Sequence, residues 1–271
     1  MNKVESAGAT DIGRKRKINQ DAFFLDDHVG LYVVADGMGG HKAGEVASQI
    51  VVDTLRDAMA DPENPGDVSC PDASLSPAAA RLLKAIELAN QNVRRTSQNN
   101  EAFQGMGSTV SAILLSDRTV IAANVGDSPI YLIQRNHIEE LSVPHTLAAE
   151  LERDGQPDEA AHHILTRAVG TQDSVSSHIC EIQTLPGDII VACSDGLSNK
   201  ASMAEISSAA RSMPPDKACR RLVVLANERG GEDNITVLIA RIKSTGFSNH
   251  PVLKPVFHFF RCVFSGFRNK R

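Results

Sequence analysis

The chain has 271 residues, of which 42% are hydrophobic, and its formal net charge at pH 7 is -5. This length suits one large domain or two small ones with a substantial core, and the net charge gives no reason to expect nucleic-acid binding. No segment approaches the ~20 apolar residues of a membrane helix, and the first residues lack the apolar stretch of a signal peptide. We therefore expect a cytoplasmic protein.

The hydrophobic pattern changes repeatedly between strand and helix periods along the chain. Apolar runs predict strands at 4–10, 22–25, 31–35, 109–115, 119–125, 130–133, 138–141, 175–183, 188–194 and 235–242. Apolar residues at helical spacing predict two pairs of amphipathic helices, which begin at Ala43, Pro77, Met203 and Pro215. Several strands are joined by turns of hairpin length, which favours two packed antiparallel sheets with helices on their outer faces. Periodicity alone leaves the order of the layers open.

One stretch combines a strand, a carboxylate, a glycine-rich turn and a helix. The apolar run 31–35 is followed by Asp36, and Gly37, Gly39 and Gly40 come next. Glycine has no Cβ, so the chain can turn sharply and let a ligand touch the backbone. Such a turn can bind a cation or a phosphate, although similar turns also occur with no ligand.

The same arrangement of an aspartate at the tip of a strand recurs elsewhere. Asp127 and Asp195 follow apolar runs, whereas Asp21 and Asp233 precede them. If the two groups of strands run antiparallel, these four carboxylates and Asp36 reach one edge. So many like charges would take up protons unless cations are bound. A site made of oxygen ligands favours Mg²⁺ or Mn²⁺ over zinc.

A basic segment, residues 14–17, lies close to this edge in the sequence. We interpret three of its cations as solvated. Arg16 differs because Asn19, Gln20 and Asp21 follow it and lead into a strand beside the carboxylates. An arginine there can donate two parallel hydrogen bonds to phosphate oxygens.

Six ordered motifs give the chain a resemblance to a known family. They are Arg16-x-x-Asn19-Gln20-Asp21, Ala35-Asp36-Gly37-Met38-Gly39-Gly40-His41, Met106-Gly107-Ser108-Thr109, Val125-Gly126-Asp127-Ser128, Ser194-Asp195-Gly196-Leu197 and Gly231-x-Asp233-Asn234-Ile235-Thr236. Together they resemble the PPM family, the type 2C metal-dependent protein phosphatases, in their bacterial form. The resemblance implies an α+β fold, an α-β-β-α sandwich, in a phosphatase domain over residues 1–243. It also implies hydrolysis of phosphoserine and phosphothreonine in proteins, in opposition to Ser/Thr kinases of bacterial signalling.

The resemblance further implies roles for individual residues. Asp36 would bridge two Mn²⁺ or Mg²⁺ ions, the carbonyl of Gly37 would bind the second ion, and Asp195 and Asp233 would bind the first. Asp127, with Asp195, matches the position that binds a third, weaker ion in bacterial members. Arg16 matches the phosphate-binding arginine. A water between two such ions loses a proton near neutral pH and attacks phosphorus in line.

Some positions depart from the family pattern. Animal members have a histidine two residues after the bridging aspartate, proposed as general acid, where this chain has Met38; the nearest candidate for that role is His41. Pro129 and Pro144 replace a frequent arginine and aspartate. We expect them to alter the behaviour of a mobile flap, residues 145–170, rather than to abolish catalysis.

Two other functions compete with an active protein phosphatase. A catalytically weak binding or scaffold module would be favoured by the absence of a metal aspartate, and none is absent. A hydrolase of small phosphomonoesters would need a deeper pocket than the loops suggest.

The tail, residues 244–271, lies outside the resemblance. It is basic and rich in phenylalanine, and its apolar residues recur on one face of a helix predicted over 256–267. Such a helix could lie on an anionic membrane, or it could pack on the phosphatase domain or a partner protein.

Overall fold

The computed structural model describes residues 3–40, 42–60, 74–116, 118–135, 137–153, 155, 158, 161 and 164–244, together with the backbone of 261–265. Within these residues the strands are β1 (Lys3–Asp11), β2 (Asp21–Asp26), β3 (Leu31–Met38), β4 (Gly107–Ser108), β5 (Val110–Ser116), β6 (Thr119–Val125), β7 (Ile130–Gln134), β8 (His137–Glu140), β9 (Ser177–Gln183), β10 (Ile189–Cys193), β11 (Ile235–Ser244) and β12 (Arg261–Ser265). The helices are α1 (Ala43–Met59), α2 (Pro77–Asn99), α3 (Leu147–Arg153), α4 (Asp195–Ser198), α5 (Met203–Ser212) and α6 (Pro215–Glu228).

The strands form two antiparallel sheets, and helices cover the outer face of each. One sheet has the order β1-β11-β10-β7-β8, and the other has the order β12-β9-β6-β5-β3-β2, with β4 paired to β3. Helices α1 and α2 pack on the second sheet, and α5 and α6 pack on the first. The predicted α-β-β-α sandwich is therefore confirmed, as are the four predicted helix starts.

Strand β3 shows why its sequence is apolar at every position from 31 to 35. Successive side chains of a strand point to opposite faces of the sheet. Leu31 and Val33 therefore pack against the helices, while Tyr32 and Val34 enter the core between the two sheets. A strand that is buried on both faces cannot show polar alternation.

The helix ends use the side chains that the sequence offers. Ser76 accepts a hydrogen bond from the Ala79 N–H at 3.1 Å, and Pro77 occupies the first turn of α2. Ser202 and Glu205 form a capping box at the start of α5. These contacts satisfy N–H groups that have no partner inside the helix.

The helix predicted over 256–267 is wrong for the part that the structure describes. Residues 261–265 form β12, which pairs antiparallel with β9. A free edge of a sheet offers a row of unpaired backbone groups, and pairing with it depends on a distant part of the chain that local periodicity does not report. The rest of the predicted helix lies outside the described residues.

None of the helices within the described ranges is long and apolar enough to cross a membrane.

Candidate active site

The five aspartates singled out in the sequence meet at one end of the sandwich. Asp21 opens β2 and lies directly opposite Asp36 of β3 in the antiparallel register. Asp127 follows β6, Asp195 is the first residue of α4 after β10, and Asp233 precedes β11. A cleft of about 840 Å³ is lined by four of them, the exception being Asp21. Arg16, Gly37 and Met38 also line this cleft.

Asp36 lies within β3, although the sequence predicted that the strand ends before it. The strand continues to Met38 because Gly37 and Met38 pair with β4. The Asp36 N–H donates to Thr109 Oγ1 at 3.0 Å, and the Asp36 carbonyl accepts from the Thr109 N–H at 2.8 Å. The backbone that carries this carboxylate is therefore fixed on both sides.

The pKa of Asp36 lies well above its usual value. Removal from water is the largest cause, and the charges of Asp21, Asp195, Asp233 and Asp127 raise the pKa further. Each of these groups favours the neutral acid at Asp36. A divalent cation in the cleft would reverse this preference, because it stabilises the carboxylate form.

Gly37 is required by close packing. A Cβ at this position would collide with the backbone carbonyl of Gly44 in α1 and would lie 2.7 Å from the carbonyl of Gln20. The Gly37 N–H also donates to that Gln20 carbonyl at 3.0 Å. The absence of a side chain therefore lets the start of α1 and the segment before β2 close on the tip of β3.

Asp21 is the carboxylate to which sequence reasoning gave no individual role. Its Oδ2 accepts hydrogen bonds from Ser194 Oγ at 2.8 Å and from Thr236 Oγ1 at 2.7 Å. Its Oδ1 is buried and has no hydrogen-bond partner within the described part of the chain. Burial raises the pKa of Asp21 to about 6, although the two hydroxyl groups oppose this shift. Ser194 and Thr236, which stand close to Asp195 and Asp233 in the sequence, were the signal that could have identified Asp21 as part of the site.

Arg16 reaches the carboxylates and pairs with one of them. Its Nη2 lies 2.7 Å from Asp233 Oδ2, and the two side chains are 50% and 35% exposed. The hydrogen bond to Asp233 is the largest cause of the raised pKa of Arg16. Arg16 therefore lies in the cleft, in agreement with the sequence analysis, which distinguished it from the three other cations of the basic segment.

The amide side chain of Asn234 holds the loop that carries Arg16, and the Gly231 carbonyl also accepts from the Arg14 and Lys15 N–H groups. Asn234 Nδ2 donates to the carbonyls of Ile12 and Ile18, both at 3.0 Å. Its Oδ1 accepts from the Gln20 N–H at 2.8 Å. The residue next to Asp233 therefore fixes both ends of the loop around Arg16, a role that the motif alone did not indicate.

Asp127 is joined to Asp36 by buried hydroxyl groups. Ser128, the next residue, has its Oγ 2.8 Å from Thr109 Oγ1, the atom that also bonds to the Asp36 N–H. Asp127 and Asp195 additionally line a second cavity of about 220 Å³, which Glu152 of α3 also borders. The two aspartates thus face two neighbouring cavities.

Within the expected flap, residues 145–170, the described residues 164–168 line one wall of the cleft. Thr146 and Leu165 form an antiparallel bridge at its base, and helix α3 lies between them in sequence. Leu165, Thr166 and Arg167 line the cleft. His41, the candidate general acid, lies outside the described residues, and no described histidine lines the cleft.

The donor set of the cleft suits a hard divalent cation. The carboxylate oxygens that line it are ligands that Mg²⁺ and Mn²⁺ prefer. Asp21 does not line the cleft but lies opposite Asp36, and its buried Oδ1 has no described hydrogen-bond partner. Within the described residues no three carboxylate, imidazole or thiol side chains already surround one point as an ion would require. One of the carboxylates, Asp233, is instead paired with Arg16.

Comparisons with known proteins agree with this geometry. The family model described as protein phosphatase 2C matches residues 9–225. Protein phosphatase PhpP of Streptococcus pneumoniae is 34% identical over 248 residues, which cover 87% of this chain and 96% of PhpP. The crystal structure of the Mycobacterium tuberculosis serine/threonine phosphatase PstP/Ppp matches with a TM-score of 0.79 and 29% identity, over 89% of this chain and 99% of that one. A structure of the PstP catalytic domain in complex with two manganese ions has a TM-score of 0.78 and 29% identity over the same shares.

Proposed function

The chain belongs to the protein phosphatase 2C family and is a metal-dependent protein serine/threonine phosphatase, and we propose that its cleft binds two Mn²⁺ or Mg²⁺ ions. The observation that carries this proposal is the presence of Asp36, Asp195 and Asp233 in one cleft with Arg16. The manganese complex of the related catalytic domain supports the number and kind of ions.

Within this site we assign Asp36 as the carboxylate that would hold both ions. Asp195 and Asp233 would hold one ion, and the carbonyl of Gly37 would hold the other. The two hydrogen bonds between Asp36 and Thr109 keep the backbone that carries this carboxylate in place. When bound, such ions lower the pKa of water and neutralise charge on phosphoryl oxygens.

Arg16 binds the phosphate of the substrate in this proposal. Its guanidinium is half exposed and lines the cleft, so it can exchange the Asp233 carboxylate for phosphate oxygens. A guanidinium can donate two parallel hydrogen bonds to phosphate, and its charge stabilises the oxygens as negative charge develops on them. We retain His41 as the candidate general acid.

Asp127 and Asp195 are the candidate ligands of a third, weaker ion. The second cavity, which both residues line, supports this assignment. A variant Asp127→Ala should keep the two tightly bound ions and slow turnover. Loss of the tight pair in this variant would instead place Asp127 among their direct ligands.

The substrates are phosphoserine- and phosphothreonine-containing proteins, and we propose that a bacterial Ser/Thr kinase produces them. The phosphatase domain in this proposal covers residues 1–243, and residues 261–265 of the tail add β12 to the edge of its second sheet.

The test measures phosphate release from a phosphothreonine peptide and from a nucleoside monophosphate, each with added Mn²⁺ and with a chelator. We expect Mn²⁺-dependent release from the peptide at the higher kcat/KM. Faster release from the nucleotide would indicate a small-molecule hydrolase, and no release from either would indicate a binding module.

A further inference from the structure

The turn that presents Asp127 is held against the segment that follows β8. Asn124, near the end of β6, bonds to Val143 twice: its Nδ2 donates to the Val143 carbonyl at 2.8 Å, and its Oδ1 accepts from the Val143 N–H at 3.1 Å. The side chain of Asn124 is buried. The residues on either side of Pro144 therefore lie beside the turn at Gly126.

His145 satisfies both backbone groups of Gly126. The His145 N–H donates to the Gly126 carbonyl at 3.0 Å, and His145 Nδ1 accepts from the Gly126 N–H at 3.1 Å. Gly126 has a φ of +100°, and a Cβ there would lie 2.6 Å from Thr109 Cγ2. The Gly126 carbonyl also accepts a longer bond, 3.4 Å, from Asn124 Nδ2. The backbone conformation immediately before Asp127 therefore depends on a position that favours glycine and mainly on the two contacts from His145.

The imidazole must be neutral to make this contact. Since Nδ1 accepts a hydrogen bond, the proton of the neutral ring lies on Nε2. His145 is fully buried, and its burial and the nearby charge of Arg167 keep its pKa low, at about 3. The ring is thus an acceptor at the pH at which a phosphatase works.

The same residue is bonded to the wall of the cleft. The His145 carbonyl accepts from the Thr166 N–H at 2.9 Å, next to the bridge between Thr146 and Leu165. Leu165 and Thr166 line the cleft. One buried residue therefore contacts the Asp127 turn through its imidazole and its N–H, and contacts Thr166 of the cleft wall through its carbonyl.

We propose that His145 is a positioning residue of the phosphatase: it fixes the turn that carries Asp127 and couples that turn to the flap wall formed by residues 164–168. This inference rests on the proposed role of Asp127 as an ion ligand. A displacement of a catalytic group by about 1 Å can slow an enzyme about a hundredfold, so a loose turn would lower kcat while the phosphate contact of Arg16, and with it KM, changes little.

The test compares His145→Leu, which removes the acceptor at similar volume, with His145→Asn, which keeps an acceptor at the δ position. Each is assayed for kcat and KM on a phosphothreonine peptide, well below its melting temperature, in the wild-type and Asp127→Ala backgrounds. We expect His145→Leu to lower kcat about tenfold to a hundredfold in the wild-type background and His145→Asn to restore most of it. In the Asp127→Ala background the effect of His145→Leu should disappear, because residues that act through one another are not additive.

An equal loss of kcat in both backgrounds would overturn the proposal, since a merely structural role predicts that result. Unchanged kinetics of His145→Leu would also overturn the proposal, as would a kcat of His145→Asn as low as that of His145→Leu. Failure of the proposed ion site is recognised separately, because Asp127→Ala alone would then turn over at the wild-type rate.

Discussion

Arg16 Nη2 and Asp233 Oδ2 form an ion pair of 2.7 Å at the cleft. The arginine that we assign to phosphate binding is thus paired with a carboxylate that we assign to an ion. An ion at Asp233 and a phosphate at Arg16 would each compete with this pair for the same side chains. Because the two side chains are partly exposed, the pair contributes little to stability, about 0.2–1 kcal/mol, and can open at small cost.

The first prediction concerns Arg16→Ala. A charge-assisted hydrogen bond contributes about 1.5–3 kcal/mol, so kcat/KM for a phosphothreonine peptide should fall about tenfold to a hundredfold. Mn²⁺ affinity, measured by calorimetry, should stay the same or increase slightly, because Asp233 loses a competing cation. Unchanged kinetics would mean that Arg16 is a solvated cation like its neighbours in the basic segment. Weaker Mn²⁺ binding would contradict the idea that Arg16 competes with the ion for Asp233.

The second prediction concerns the hydroxyl of Thr109, which bonds to the Asp36 N–H and to Ser128. Thr109→Val keeps the shape but leaves these buried groups without their partner, which should cost about 1–3 kcal/mol of stability and lower kcat. The matched control is Thr184→Val, since Thr184 is equally buried and bonds to the Arg118 carbonyl, away from the cleft. Urea unfolding should show a lower free energy of unfolding for both variants, but only Thr109→Val should have a lower kcat. A lower kcat in the control as well would mean that Thr109 has no specific role in the site.

The arrangement of the aspartates was predictable because each stands at the tip of an apolar run, and antiparallel pairing then brings them together. Periodicity also located the four long helices, whose apolar faces repeat over several turns. Other features depend on contacts between distant parts of the chain. The bonds of Asp21 to Ser194 and Thr236, the fastening of the Arg16 loop by Asn234 and the pairing of β12 with β9 each join residues that sequence patterns treat separately.

The third prediction concerns pH and His145. Its pKa is about 3 in the folded protein and about 6.5 in an unfolded chain. Between these values the unfolded state binds a proton that the folded state does not, so stability is present above about pH 6.5 and is lost as the pH falls towards 3. From pH 7 to pH 5 the free energy of unfolding of the metal-free protein, measured with urea, should fall less for His145→Asn than for wild type. An identical loss in the two proteins would mean that His145 is not the buried neutral group described.

The fourth prediction concerns the tail. Removal of the residues after Ser244 deletes β12 and leaves the backbone edge of β9 unpaired. We expect a lower melting temperature and more self-association for the truncated protein, because an open edge can pair with another chain. Flotation with anionic liposomes should be equal for the truncated and full-length proteins. Stronger flotation of the full-length protein, with no change in melting temperature, would favour the membrane hypothesis instead.

The most direct test of the two-ion centre is a count of bound Mn²⁺ in the wild type and in Asp36→Asn, by calorimetry, with peptide hydrolysis measured on the same samples. Asp216→Asn is the control, because Asp216 lies on α6 and pairs with Arg220 on the surface. We predict two tightly bound ions in the wild type and the control. In Asp36→Asn we predict the loss of at least one ion and a fall in kcat by about two orders of magnitude or more. Two tightly bound ions and a wild-type rate in Asp36→Asn would contradict the account.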